Sequence, residues 1–281
     1  MNAHNSPIID LGNWLEQPAG SYIRAWEQAK LDQLTVDIFG FHALQIGLPQ
    51  IDALRANRMP HQWQSDCYLR NKNPAEKVAV VHDFAELPFD AQSMDLVVLP
   101  HVLEFANEPH QILREVERVL IPEGRVIVCG FNRRSLWGAR QFGARMIGHS
   151  YMPREGEFIS SSRMKDWLKL LNMEIEKVEF GCYGFPFKTQ QWLERFQFME
   201  NLGQKWWPYL GAIYMVQAVK RVKGMHLIGP VRKRKSILSV SPVAVSNRAK
   251  KVTHSKHLSH SNHSNHSNYN EEIHIQDYAK D

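Results

Sequence analysis

Asp83 and His101 carry groups suited to ligand chemistry at the ends of apolar runs, and Gly47 closes an earlier one. An ionised carboxylate only accepts hydrogen bonds, whereas a histidine with its ordinary pKa near 6.5 can take up or release a proton near neutrality. A glycine at a strand end lets the backbone come close to a ligand. Asp83 follows the apolar run Val78 to Val81, and His101 follows Met94 to Leu99. Both runs have strand length and read as strands buried on two faces, the kind found inside a parallel sheet. Open α/β sheets bind ligands at the carboxyl ends of their strands. The stretch Lys77 to Phe105 is therefore expected to carry the site.

The elements that must position these residues can be read in order. Between Gly20 and Gly40, Tyr22, Ile23, Trp26, Leu31, Leu34, Val36, Ile38 and Phe39 fall mostly three or four apart, which predicts a helix or helix pair entered through Trp14, Pro18 and Gly20. Phe41 to Leu48 predicts a first strand ending at Gly47, and Pro49 suits the first turn of a short helix through Ala56. Met59 to Asp66 predicts a short strand, followed by a loop from Cys67 to Glu76. After Asn107-Glu108-Pro109, the apolar stripe Ile112, Leu113, Val116, Val119 and Leu120 marks a helix ended by Pro122 and Gly124, and Arg125 to Phe131 is a third buried strand.

Leu136 to Gly156 reads as a long irregular connection. Ser160 to Leu171 is a helix capped by Ser161 or Ser162, Met173 to Phe180 a half-exposed strand, and Gly181 to Phe187 a loop. Thr189 to Leu202 is an amphipathic helix, and Tyr209 to Lys220 is a last strand. Alternation of strand and helix from 41 to 131 predicts a Rossmann-like open, mostly parallel seven-stranded sheet, with helices on both faces and an antiparallel strand at one edge.

At 281 residues and 43% hydrophobic content the chain can bury a large core. Residues 1–223 form the expected α/β domain, with a helical cap over about 10–40, and 224–281 a disordered basic tail rich in His, Ser and Asn. Residues 221–270 hold ten Lys and Arg with no Asp or Glu, and 271–281 hold four acids against one Lys, so of the +5 net charge the first 220 residues keep −2. No nucleic-acid surface is expected in the domain itself, while the tail is free to touch polyanions weakly. His254, His257, His260, His263 and His266 recur every third residue in a low-complexity setting that calls for no metal. Cys67, Cys129 and Cys182 show no CxxC spacing, so a reducing, cytoplasmic setting is expected. The most membrane-like stretch, Leu210 to Val219, is half the roughly twenty residues of a spanning helix.

The segment DFAELPFDAQSMDLVVLPHVLEF, followed by LREVERVLIPEGRVIV, resembles the central signature of class I S-adenosylmethionine-dependent methyltransferases of the type 11 group. WLEQPAGSYIRAWEQ, SLWGARQ, FISSSRMKDWLKLLNMEI and WWPYLGAIYMVQAVKR look like segments of the same group, so the resemblance spans roughly residues 10–222. It implies S-adenosylmethionine as cofactor and a small or medium-sized methyl acceptor. It places Asp83 at the adenine amino group, the Phe84 N–H at the adenine ring, Pro100 and His101 at the methyl-transfer end, and Gly47 in the glycine-rich loop. Asp66 is the candidate for the acid that holds the ribose hydroxyls. The family loop carries GxGxG where this chain reads Gly47-Leu48-Pro49-Gln50, an eroded version with the first glycine alone.

Each assignment has a plainer counterpart. Asp83 can be a turn residue, His101 a pocket wall or a satisfied hydrogen-bonding group instead of a base, and Glu104 a helix-start or surface residue. Arg24 and Trp14 can close over a cofactor or be an exposed charge and a core aromatic. Trp192, Phe196, Phe198, Trp206 and Trp207 read best as core packing. Two functions remain: a methyltransferase, or a catalytically inactive S-adenosylmethionine-binding or regulatory module. A nicotinamide enzyme would need GxGxxG after the first strand, which is missing.

Overall fold

The structure, a computed structural model, describes residues 7–67, 78–146, 157–184 and 198–221. The expected loop at 68–76, the tail at 224–281 and most of the helix expected from Thr189 lie outside the described residues. The chain opens with α1 (Pro7–Leu15) and α2 (Pro18–Thr35), a helix pair broken at the Pro18 start of the second. It continues through β1 (His42–Ile46), β2 (His61–Asp66), β3 (Val78–Val81), β4 (Met94–Pro100), α3 (Pro109–Val119) and β5 (Leu120–Phe131). The described remainder is α4 (Leu136–Met146), α5 (Ser161–Leu170), β6 (Met173–Gly181), α6 (Phe198–Trp206) and β7 (Ile213–Lys220).

The strands form one seven-stranded sheet in the order β3-β2-β1-β4-β5-β7-β6. The first five strands in sequence are parallel to one another, and β7 runs antiparallel between β5 and β6. The expected Rossmann-like sheet is therefore present. All eight residues of β7 are buried, because the strand has partners on both sides and both of its faces are covered. On α3 the stripe Ile112, Leu113, Val116 and Val119 is buried as its spacing requires.

Several local expectations are corrected. β3 is not buried on two faces but lies at the sheet edge, where its residues alternate between half-buried and exposed. Pro49 starts no helix, and residues 49–56 form successive turns. Pro122 and Gly124 do not separate α3 from a later strand, since β5 already begins at Leu120. Met94 pairs with Leu120 while Leu96 pairs with Arg125, so the residues between bulge out, with Glu123 at φ +65°, and the proline needs no ladder hydrogen bond. The first half of the supposedly irregular 136–156 connection is α4. The α5 cap is Ser160, one residue before those expected, and its hydroxyl accepts from the Arg163 N–H.

Asp95 fixes β1 against β4 at the amino end of the sheet. Its Oδ2 accepts hydrogen bonds from the Phe41 and His42 N–H groups, each at 2.9 Å. A Cβ on Gly40 would lie 2.4 Å from the Asp95 carboxyl carbon, so the glycine leaves the room that this contact uses. Asp95→Ala is expected to lower the unfolding free energy by about 2 kcal/mol, the scale of hydrogen bonds to a charged group. Urea unfolding followed by circular dichroism measures it; an unchanged midpoint would contradict the role.

Candidate functional site

Parallel strands end together, and the ends of β3, β2, β1 and β4 lie side by side at one edge of the sheet. Asp83, Asp66, Gly47 and His101 therefore stand in that order along the carboxyl edge. Backbone bonds carry the ladder to the edge itself: Gly47 N–H donates to Ser65 O at 2.7 Å, His82 N–H to Asp66 O at 3.1 Å, and His101 N–H to Cys129 O at 3.1 Å. Phe84 and Pro100 belong to the same edge, so the fold brings all six expected residues to it.

Gly47 has φ +74°, where side chains are strained, and Leu48 follows at φ +44°. A Cβ at Gly47 would meet Val102 Cγ2 at 2.8 Å and both Ile8 Cδ1 and Phe84 Cζ at 3.4 Å. Side chains from α1, from the segment after β3 and from the segment after β4 thus converge on this glycine.

The loop that follows is closed by a side chain instead of by further glycines. Gln45 is 1% exposed on β1, and its Nε2 lies 3.2 Å from Gly47 O, 3.1 Å from Leu48 O and 2.6 Å from Ile51 O. Its Oε1 accepts from the Ala53 N–H at 2.8 Å. A carboxamide that gathers loop carbonyls in this way explains why residues 49–56 turn about Gln45 and form no helix.

Asp66 is fully buried at the end of β2, and its Oδ1 accepts from the Cys67 N–H at 2.7 Å. Asp83 is exposed, with Oδ1 accepting from the Ala85 N–H at 3.0 Å in an Asx-type turn. Phe84 turns inward and is 9% exposed.

His101 has φ +55° and no solvent exposure. Its Nε2 lies 2.6 Å from Glu27 Oε1 and its Nδ1 2.9 Å from Glu104 Oε2. Glu104 Oε1 also accepts from the Phe131 N–H at 2.7 Å, and the His101 ring packs 4.2 Å from that of Phe131. Both ring nitrogens are thus engaged inside the protein, which leaves neither directed at an acceptor. Glu104 is correspondingly no surface residue, at 3% exposure. Burial alone would lower the imidazole pKa, but the Glu27 charge and the bonds to both carboxylates outweigh it and raise the pKa to about 10. Burial pushes the Glu104 carboxyl up to about 7, against the pull of His101 and the Phe131 N–H. Glu27 Oε2 is buried without a hydrogen-bond partner.

Glu27 and Gln45 escaped sequence reasoning, and Glu104 entered it only as a helix-start or surface residue. Glu27 had a visible signal, because it sits four residues from both Ile23 and Leu31 on the buried face of α2. Gln45 likewise interrupts the apolar residues of β1. Trp14 is a core aromatic, edge-on to Phe131 at 6.2 Å and to Trp137 at 6.5 Å. Trp206 and Trp207 are exposed and do not pack in the core as expected; Trp192 and Phe196 lie outside the described residues. Among the described residues no group of His, Cys, Asp or Glu is arranged to hold a metal ion, and no helix is long and apolar enough to cross a membrane.

Comparison with known proteins bears on this edge. Residues 62–128, from β2 through most of β5, match the family described as methyltransferase domain. An uncharacterised protein of Escherichia coli K12, YafS, is 31% identical over 163 residues, which is 58% of this chain and 65% of that protein. A demethylmenaquinone methyltransferase of Clavibacter sepedonicus is 41% identical over 58 residues, 20% of this chain and 24% of that one. The chain thus spans less than two thirds of the length of these curated relatives. A crystal structure of a Thermotoga maritima protein, titled as an S-adenosylmethionine-dependent methyltransferase and possible histamine N-methyltransferase, superposes with a TM-score of 0.53 at 16% identity. That match covers 71% of this chain and 92% of the other.

Two measurements test the geometry. Gln45→Leu, which keeps the bulk and removes the amide, is expected to cost about 2 kcal/mol through the unpaired loop groups and to increase backbone amide exchange across residues 47–53; exchange there equal to wild type would remove Gln45 from the role. The His101 pKa stands above its unfolded value, so its charge contributes stability in full below about 6.5, and that contribution is lost as pH rises through about 10. In 15N-histidine spectra one ring is expected to remain doubly protonated at pH 8 and to disappear in His101→Gln. A His101 ring already neutral at pH 8 would contradict the pairing.

Proposed function

We infer that a chain carrying a methyltransferase domain in the class I S-adenosylmethionine-dependent fold, as this one does, binds S-adenosylmethionine along the carboxyl edge of β1 to β4 and transfers its methyl group to a small-molecule acceptor. The observation that carries this reading is the row Asp83, Asp66, Gly47, His101 on four adjacent strand ends.

The residues present fit the cofactor. Asp66, a buried carboxylate at the end of β2, accepts from the ribose hydroxyls. Asp83, exposed one strand further out, takes the adenine amino group, and Phe84 offers its backbone N–H and its ring to the base. Gly47, in a left-handed conformation that a side chain would strain, lets the backbone meet the amino-acid portion once Ile8 moves off it. Pro100 and His101 wall the methyl-transfer end.

Bound there, S-adenosylmethionine supplies a methyl group already activated by its sulfonium. The protein's share is position and exclusion of water. Ile8 of α1 and Val102 close on Gly47, so the helix pair shields the site. His101, held on both sides by carboxylates, serves as a positioning residue that fixes the chain after β4. An acceptor that must lose a proton therefore loses it elsewhere than to His101. The buried free thiols Cys129 and Cys182 support a reducing, cytoplasmic setting.

Titration calorimetry of the full-length chain with S-adenosylhomocysteine tests the assignment. Binding in the micromolar range is expected, weakened at least about tenfold in Asp66→Ala and in Asp66→Asn, since hydrogen bonds to a carboxylate contribute about 1.5–3 kcal/mol each. No binding at millimolar ligand by folded protein, or an affinity unchanged in both variants, would overturn it.

A further inference from the structure

Beside the row, past the ends of β4 and β5, lies a cavity of about 500 Å³. This is the size class of small-molecule sites, about 300–1,000 Å³. It joins the cofactor edge through aromatic contacts: Phe158, on its wall, packs 5.4 Å from Phe131, which packs 4.2 Å from His101. The segment bearing Phe158 is tied down by the Glu157 N–H, which donates to Glu104 O at 2.8 Å. One carboxylate residue thus holds His101 through its side chain and the cavity wall through its backbone.

The lining is of two kinds. Leu103, Phe142, Phe158, Ile159 and Trp167 make an apolar, largely aromatic surface. Among the described residues its polar lining is Asn107 and Gln141, two arginines, Arg133 just past β5 and Arg163 in the first turn of α5, and one acid, Glu157. Among the described residues neither arginine has a carboxylate within ion-pair distance. Arg163 is instead held over the Trp167 ring, 5.0 Å from its centroid, which keeps its cation at the wall. Elsewhere the exposed arginines Arg55, Arg125 and Arg221 are each paired with an acid. Among the described lining residues two cations stand against one anion, an excess of one positive charge beside an aromatic surface.

We propose that this cavity binds the methyl acceptor and that the acceptor is an aromatic monoanion, a ring system bearing one carboxylate. The proposal rests on the methyltransferase reading for its role and on the cavity alone for its ligand class. The ring lies against Phe158 and Trp167, and the carboxylate pairs with Arg133 and Arg163. Planar guanidinium groups suit a carboxylate because they offer two parallel N–H donors. A dianionic phosphate would leave an uncompensated charge beside Glu157.

The probe is 2-naphthoate, titrated into the full-length chain with and without S-adenosylhomocysteine, beside the neutral isostere 2-naphthamide. Naphthoate is expected to bind and to quench Trp167 fluorescence, with naphthamide at least tenfold weaker. Arg133→Gln and Arg163→Gln are each expected to weaken naphthoate about tenfold, while Arg125→Gln, earlier on β5, outside the cavity lining and paired with Glu176, leaves it unchanged. Naphthamide binding as tightly as naphthoate, or a naphthoate affinity unchanged in both cavity variants, would overturn the proposal. S-adenosylhomocysteine is titrated into each variant as well. Its failure to bind wild type would remove the methyltransferase reading, whereas a wild-type chain that binds S-adenosylhomocysteine but not naphthoate removes only the acceptor class.

Discussion

An imidazole enclosed by two carboxylates, all three buried from solvent, ties the amino-terminal helices to the sheet. Removing charges from water is costly, and their mutual attraction offsets the cost only when the geometry is good and the remaining polar atoms are satisfied. Here Glu27 brings α2, His101 brings the end of β4, and Glu104 reaches across to the Phe131 N–H of β5. Three separate elements must be in place for any of the three charges to be compensated. Such a cluster is strong as a specifier of arrangement and modest as a net source of stability. The left-handed backbone at His101 follows from it, because two side-chain contacts hold a conformation that a histidine adopts only at a cost.

The same division between shape and charge governs the edge. The apolar side chains of Ile8, Val102 and Phe84 decide how closely the chain can approach Gly47. The polar groups decide what a ligand would meet: a buried carboxylate at Asp66 and an exposed one at Asp83. Gln45 replaces loop glycines by another route, since a side-chain amide can fix carbonyl directions that a glycine-rich backbone fixes by its own turns. The reduced glycine content of this loop is thereby a change of device rather than a loss of order.

The strand ends were legible in the sequence because they depend on short apolar runs and on polar residues that stop them. Gly47, Asp83 and His101 could be set on one edge from the apolar runs they end, and Asp66 joined them through the family resemblance. What could not be read depended on distant partners. Glu27 and His101 are 74 residues apart, and Glu104 meets Phe131 across 27. The exposure of β3 follows from its place at the sheet edge, which its apolar composition does not encode. Pro122 and Gly124 look like terminators, yet a bulge accommodates them within β5 because the residues they occupy are outside the ladder. In each case local pattern identified the element, and tertiary pairing decided its limits or its charge state.

The most direct measurement is a crystal structure of the full-length chain with S-adenosylhomocysteine. The ligand is expected across the ends of β3, β2, β1 and β4, with its ribose on Asp66, its adenine beside Asp83 and Phe84, and Ile8 displaced from Gly47. Ligand bound away from this edge, or an edge still closed by Ile8 and Val102 at saturating ligand, would contradict the assignment of the site.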